Sequence, residues 1–234
     1  ADTDDESTED DGADRRFETR AIHAGQAPDP ETGALMTPIH ANSTYEQDGP
    51  GDHRGYEYSR TGNPTRSDLE ANLASLESGS HARCFSSGMG AISTVLNLLE
   101  AGDHVVAGDD VYGGTHRILT QVYEQYDIDT SFVDTTDHDV VRDAMRAETA
   151  LLWVETPTNP LMNVNDIGAL ADIAHANDAL CAVDNTFATP YLQRPLERGA
   201  DIVSQSLTKY LGGHSDTIGG ALIVDDTDLD EQIG

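Results

Sequence analysis

An α/β fold, with a mainly parallel sheet covered by helices on both faces, is the architecture the sequence predicts. Three observations predict it: short β-branched runs recur along the chain, helical patterns lie between several of them, and the two alternate in order. The strands are expected at "HVVAGD" (104–109), "TSFVD" (130–134), "ALLWVE" (150–155), "LCAVDN" (180–185), "DIVSQS" (201–206) and "GALIVD" (220–225). One helical pattern, "TRSDLEANLASLES" (65–78), sets Leu69, Leu73 and Leu76 on a single face. A second, "NDIGALADIAHAND" (165–178), repeats Ile167, Leu170, Ile173 and Ala174, with Asn165 or Asp166 as the N-cap. Ahead of these elements the chain is rich in Gly, Pro, Tyr and Asn and only weakly periodic, so it reads as an extended arm. The expected organisation is an acidic, disordered tail over 1–15, the arm over 16–65 and one large domain over 66–234. The chain stops at Gly234 just after an apolar run, which reads as a piece of something longer.

Composition narrows the function classes. Acidic residues number 43 against 13 basic ones, for a net charge of −30 and a pI near 4.2. Residues 1–14 hold eight acids and no base, a pattern that favours disorder. What remains is acidic as well, and Lys209 is its single lysine beside twelve arginines. A solvated acidic face is one reading. Adaptation to high salt, where screening over a few Å suppresses self-repulsion, is the favoured one, because so lysine-poor a chain is hard to obtain otherwise. Nucleic acid is a poor partner for such a surface, since phosphate binding needs basic patches. Cys84 and Cys181 lie in apolar runs and suggest buried thiols in a reducing compartment, the cytoplasm. No apolar run approaches the roughly 18 residues that span a membrane, and no secretory signal is visible.

Three stretches carry chemistry. In "CFSSGMGAISTVLNLL" (84–99) a short apolar run enters Ser86-Ser87-Gly88 and a helix leaves at Met89. Free backbone N–H groups at such a helix start form an anion site, although on this stretch alone Ser87 as an ordinary N-cap is the favoured reading. No lysine follows to make a Walker A loop, and no GxGxxG triplet is present there. In "LCAVDNTFATP" (180–190), Asp184 ends an apolar strand at the carboxyl edge of the sheet, where ligands bind in open α/β folds. It is either a loop anchor or a counter-charge for a protonated ring nitrogen. In "SQSLTKYLGGHSD" (204–216) another strand delivers Ser206, Thr208 and Lys209 beside a glycine-rich turn. Hydroxyls there suit phosphate, and a lysine retained where all others are missing suits Schiff-base chemistry, which arginine cannot perform. A phosphate site, an acid for a ring nitrogen and an imine-forming lysine together describe pyridoxal 5′-phosphate (PLP). A phosphate- or nucleotide-binding module without covalent chemistry, and a catalytically inactive fragment, are the rivals from other classes.

The segment "VDNTFATPYLQRPLERGADIVSQSLTKYLGGHSD" (183–216) resembles the signature of the Cys/Met-metabolism PLP enzymes. The resemblance extends through "TRAIHAGQ" (19–26), "TPIHANSTY" (37–45), "YEYSRTGNPT" (56–65), "SSGMGAIST" (86–94), "DDVYGGTHR" (109–117), "ETPTNPLMNVNDI" (155–167) and "IGGALIV" (218–224), which is nearly the whole chain outside the tail. It implies the type I PLP-dependent aminotransferase-like fold, with a mixed, mostly parallel sheet, and a homotetramer built as a dimer of dimers. By the resemblance, Lys209 holds PLP as a Schiff base and moves protons once displaced, and Asp184 pairs with the ring nitrogen. Tyr112 stacks on the ring and is a proton acceptor from the substrate amine. Ser87, Gly88 and Met89 offer backbone N–H groups to the phosphate, and Ser206 and Thr208 their hydroxyls. Tyr58 and Arg60 reach the phosphate of a neighbouring subunit. Asn159 contacts the ring oxygen with Glu155 nearby, and Arg117 is a weaker candidate for substrate contact.

Two departures touch no cofactor contact: Gln205 stands where many relatives carry His, and Gly90 replaces a common Ala. The larger one is at the C-terminus, where relatives continue for well over a hundred residues and supply the arginine that grips the substrate carboxylate, so the small C-terminal domain is expected to be missing. Within the family, the Gly113-Gly114 pair after Tyr112 resembles the cystathionine γ-synthase and γ-lyase branch. Methionine γ-lyases often carry Cys where this chain has Gly114, and cystathionine β-lyases usually lack the pair. The expectation is γ-replacement or γ-elimination on a small amino-acid substrate, a homoserine ester or cystathionine. O-acetylhomoserine sulfhydrylase, methionine γ-lyase and cystathionine β-lyase activities are the alternatives within the family.

Overall fold

Each β-branched run named above is a strand. A computed structural model describes residues 15–234, so all of the acidic tail except Arg15 lies outside the described residues. The helices are α1 (Phe17–His23), α2 (Pro64–Glu77), α3 (Gly88–Leu96), α4 (Gly113–Gln121), α5 (His138–Ala144), α6 (Ile167–His175), α7 (Thr189–Leu192) and α8 (Thr227–Ile233). A small hairpin pairs β1 (Gln47–Gly49) with β2 (Asp52–His53). The main sheet holds β3 (His81–Phe85), β4 (His104–Gly108), β5 (Asp129–Val133), β6 (Thr149–Glu155), β7 (Leu180–Asp184), β8 (Ile202–Gln205) and β9 (Gly220–Val224).

Its strand order is β3-β9-β8-β7-β6-β4-β5. The pairs from β5 across to β8 are parallel, while β9 runs antiparallel to both β8 and β3. The sheet is therefore mixed and mostly parallel, as the resemblance implies. Alternation along β6 covers both faces: Leu151 and Trp153 pack with α3, α4 and α8, and Leu152 and Val154 pack with α5 and α6. The parallel arrangement brings the carboxyl ends of β6, β7 and β8 to one edge, where Glu155, Asp184 and Ser204 sit side by side in register.

The two predicted helices form, with one revision each. Asp166 is the cap of α6 and accepts from the Ala169 N–H at 3.2 Å, while Asn165 turns inward and donates to the Glu155 carbonyl at 2.9 Å. On α2, Leu73 and Leu76 are buried but Leu69 is 44% exposed, so the predicted face is rotated. The inward stripe includes Glu70, Leu73, Ala74 and Glu77, and two of its members are carboxylates. Glu70 accepts the Cys84 N–H at 2.8 Å, and Glu77 is fully buried. A search for apolar periodicity passes over both.

Residues 16–65 carry α1, the β1–β2 hairpin and a bridge between Thr44 and Tyr58. The Asn72 amide donates to the carbonyls of Arg20 and Ala24 and ties α1 to α2. Beyond α1 this segment lies largely open, with Leu35, Met36 and Ile39 exposed. Among the described residues no helix is long and apolar enough to cross a membrane.

Candidate functional site

β3 ends one turn before α3, and the junction uses Ser87 twice. Its Oγ caps the helix by accepting the Gly90 N–H at 3.0 Å, so the ordinary N-cap reading holds. The same geometry leaves the amides of Gly88 and Met89 in a first turn that has no intrahelical acceptors, so the cap and the anion site coexist. Gly88 is pressed against the neighbouring loop: a Cβ there would stand 2.9 Å from Ser206 Cβ and 3.0 Å from Ser206 Oγ. The helix start and the Ser206 hydroxyl thus form one cradle.

From the end of β8, a turn closed by the Lys209 N–H on the Ser206 carbonyl (3.1 Å) carries Ser206, Thr208 and Lys209. Ser87, Gly88, Met89, Tyr112, Glu155, Asn159, Asp184, Ser206, Thr208 and Lys209 all line a single cavity of about 270 Å³. A wider groove of about 840 Å³ shares Thr208, Lys209, Phe187 and Ile218 with it, so Lys209 stands between an inner chamber and an outer opening. The Thr208 hydroxyl is also engaged within its loop, accepting from the Gly219 N–H at 3.2 Å and lying 3.3 Å from the Gly219 carbonyl.

Two acids share the chamber wall. Asp184 is buried, and burial pushes its carboxyl above the usual carboxylate range. The Thr186 N–H at 3.0 Å pulls it partly back, together with the Thr186 hydroxyl, which in turn accepts the Ser206 N–H at 2.9 Å. Glu155, next to it in register, is pushed up to about 8, first by burial and then by the Asp184 charge. The Tyr112 N–H at 2.8 Å and the Asn159 N–H oppose that shift. Tyr112 precedes α4, and a Cβ at Gly114 would fall 2.3 Å from its Cε1 and 2.7 Å from Met89 Sδ. Gly114 therefore makes room for the ring beside Met89, while Gly113 faces open space.

These residues fit PLP. The cradle of N–H groups and the Ser206 hydroxyl offers donors for an anion. The buried acid pair at the strand ends calls for a cation, and the lone amine of Lys209 sits on the same wall. Among the described residues no cluster of His, Cys, Asp and Glu has a metal-ligand arrangement.

Three predicted residues are not brought to this cavity. Arg60 packs its guanidinium 4.9 Å from the centroid of the Tyr58 ring, both in the arm, and Arg117 is exposed on α4. Sequence reasoning also missed lining residues, among them Thr186, Phe187 and Ser204. The Asp-x-Thr spacing of an Asx turn was the signal available for Thr186. Phe187 and Ser204 carry no comparable local mark.

A family model described as "Cys/Met metabolism PLP-dependent enzyme" matches residues 18–234. The chain is 51% identical over 217 residues to a probable cystathionine gamma-synthase of Herpetosiphon aurantiacus, covering 93% of this chain and 68% of that protein. It is 54% identical over 219 residues to a cystathionine beta-lyase of Coxiella burnetii, covering 93% and 57%. In structure it matches metB from Corynebacterium glutamicum with a TM-score of 0.94 and 45% identity, over 95% of this chain and 58% of that one. The chain thus spans between 57% and 68% of the length of these relatives.

Proposed function

The chain belongs to the Cys/Met metabolism PLP-dependent enzyme family, and from that premise we propose that it is the cofactor-binding part of a trans-sulfuration enzyme acting by γ-replacement or γ-elimination on a homoserine ester or cystathionine. The observation that carries this reading is the single 270 Å³ cavity lined by Lys209, Asp184 and the Gly88–Ser206 cradle. PLP, when bound, supplies an electron sink for carbons next to the substrate amine.

The chain's own residues do the rest. Lys209 holds the cofactor covalently and afterwards carries protons to and from the substrate Cα and Cβ. The Asp184 carboxylate keeps the ring nitrogen protonated. The backbone N–H groups of Ser87, Gly88 and Met89 would bind the phosphate together with the hydroxyls of Ser206 and Thr208. Tyr112 would help hold the ring and accept a proton from the substrate amine, and its own backbone N–H is anchored on Glu155. Asn159, which lines the cavity, would serve the ring oxygen, and Arg117 would serve the substrate from farther out. Tyr58 and Arg60 act on the neighbouring subunit's phosphate in a homotetramer. The two cysteines are free thiols, which supports a cytoplasmic setting.

The γ assignment rests on the Gly113-Gly114 pair beside Tyr112. An assay of the full-length enzyme on cystathionine tests it. Release of cysteine and 2-oxobutanoate is expected, and homocysteine and pyruvate alone would overturn it. Gly88→Ala tests the cradle: the added methyl meets Ser206, and PLP affinity in a fluorescence titration is expected to fall by about tenfold or more, equivalent to about 1.4 kcal/mol. An unchanged affinity would remove Gly88 from the phosphate site.

The acidic surface supports a protein adapted to high salt. Raising KCl from 0.1 to 2 M shortens the screening length from about 10 Å to below 3 Å. The thermal midpoint is expected to climb by about 5 °C or more, since about 1 kcal/mol moves a chain of this size by 2–4 °C. A midpoint that stays level or drops in calorimetry would reject the adaptation.

A further inference from the structure

Outside the cavity lining, Glu77 occupies the last helical position of α2 and is fully buried. Two effects work against a carboxylate there. Burial of a charge is costly unless it is paired, and the C-terminal end of a helix disfavours negative charge. Burial pushes Glu77 up to about 7. Arg194 and Glu197 are the charged groups whose fields reach it, and Arg194 spends its Nε on Glu197 at 2.7 Å.

What Glu77 does hold is a pair of amides. Asn185 Nδ2 donates to both of its oxygens, at 3.0 and 3.2 Å, and Gln205 Nε2 donates to one at 2.6 Å. Gln205 Nε2 also donates to the Asn185 carbonyl at 3.1 Å, while its own Oε1 is buried without a partner. The amide is oriented to serve the carboxylate at a cost to itself. Gln193 extends the network, donating from Nε2 to Asn185 Oδ1 at 2.9 Å and to the Thr156 carbonyl at 2.7 Å. Three members of the network, at or just past the ends of β6, β7 and β8, are next in sequence to a cavity residue: Thr156 to Glu155, Asn185 to Asp184, Gln205 to Ser206. Glu77, Asn185, Gln193 and Gln205 do not themselves line the cavity.

We propose that Glu77 is a positioning residue for the cofactor site: its buried carboxylate pins the ends of β7 and β8 together, so that Asp184 and Ser206 are presented to one ligand at a fixed separation. The proposal rests on the PLP reading of the cavity for its ligand, and on the hydrogen bonds alone for the pinning.

The test uses the chain with and without PLP. Glu77→Gln keeps the shape but turns an amide donor toward Asn185 and Gln205. In the PLP-free chain, hydrogen exchange at 184–186 and 204–206 is expected to quicken at least tenfold while β5 (129–133) keeps its protection. PLP affinity by titration is expected to fall at least tenfold, and the visible circular dichroism of bound PLP to weaken. Exchange that rises equally across β5 would mean general destabilisation and would overturn the proposal, as would unchanged exchange and affinity. If the wild type itself binds no PLP but the local exchange effect appears, the functional reading fails and the pinning stands. Should the variant not fold, Gln193→Ala cuts the link to Thr156 from a half-buried position. Faster exchange at 155–156 and 184–186 with weaker PLP binding supports the network, and no change at either place rejects it.

Discussion

Wild-type chain incubated with PLP and reduced with borohydride is expected to carry the label on one internal peptide, the one containing Lys209, and Lys209→Ala is expected to carry none. The effect is all or nothing because Lys209 is the only side-chain amine in 234 residues. The sole competitor is the α-amino group at Ala1, which mass mapping separates. Lys209→Arg sharpens the experiment. It keeps the positive charge beside Thr208 and the outer groove but cannot form an imine, so a purely electrostatic role would survive it and a covalent one would not. Visible absorbance and exchange of the substrate Cα proton are expected to vanish in both variants. Non-covalent PLP binding should persist more weakly, because the cradle and Asp184 are untouched. Label confined to Ala1 in the wild type would end the PLP reading.

The residues that sequence alone made visible are those whose chemistry is odd for their place. Lys209 stood out against a lysine-free background, and Asp184 against the apolar strand it terminates. The strands were readable because buried parallel strands are continuous apolar runs. The short helices α5, α7 and α8, of seven, four and seven residues, offer too few turns for periodicity to show. Glu70 and Glu77 escaped for another reason: a charged residue on an inward helix face breaks the apolar pattern, and only long-range partners such as Cys84, Asn185 and Gln205 reveal which way it points. Thr186 was likewise hidden, since its link to Asp184 is local but its link to the Ser206 N–H spans twenty residues. Tyr58, Arg60 and Arg117 were proposed by resemblance, and no property of their own neighbourhoods leads to the cavity.

Asp184→Asn is expected to trade function for stability. With PLP in place, the proposed pairing would set the Asp184 carboxylate against a cationic ring nitrogen, and breaking a buried charge pair costs about 3–5 kcal/mol. PLP affinity should therefore fall by about 100-fold or more. Without PLP the same carboxylate is a burden. Its folded-state pKa is raised by burial, and Glu155 beside it is raised to about 8 by burial and by Asp184 itself. A carboxyl raised in the folded state contributes its full stability below its unfolded pKa, near 4, and loses it as pH climbs through the folded value. The PLP-free wild type is therefore expected to lose thermal stability steadily from about pH 4.5 to about pH 8. Asparagine at 184 removes one titrating group and the repulsion on Glu155, so the variant's midpoint should decline less over that window and exceed the wild type's at pH 8. Saturating PLP should flatten the wild-type curve, because the ring cation supplies the missing counter-charge, and leave the variant's curve almost unmoved. Midpoints measured across pH for the two chains, each with and without PLP, decide the matter: parallel PLP-free curves would show that Asp184 does not titrate as a buried, unpaired acid. Equal stabilisation of both chains by PLP would show that the carboxylate does not meet the ring nitrogen.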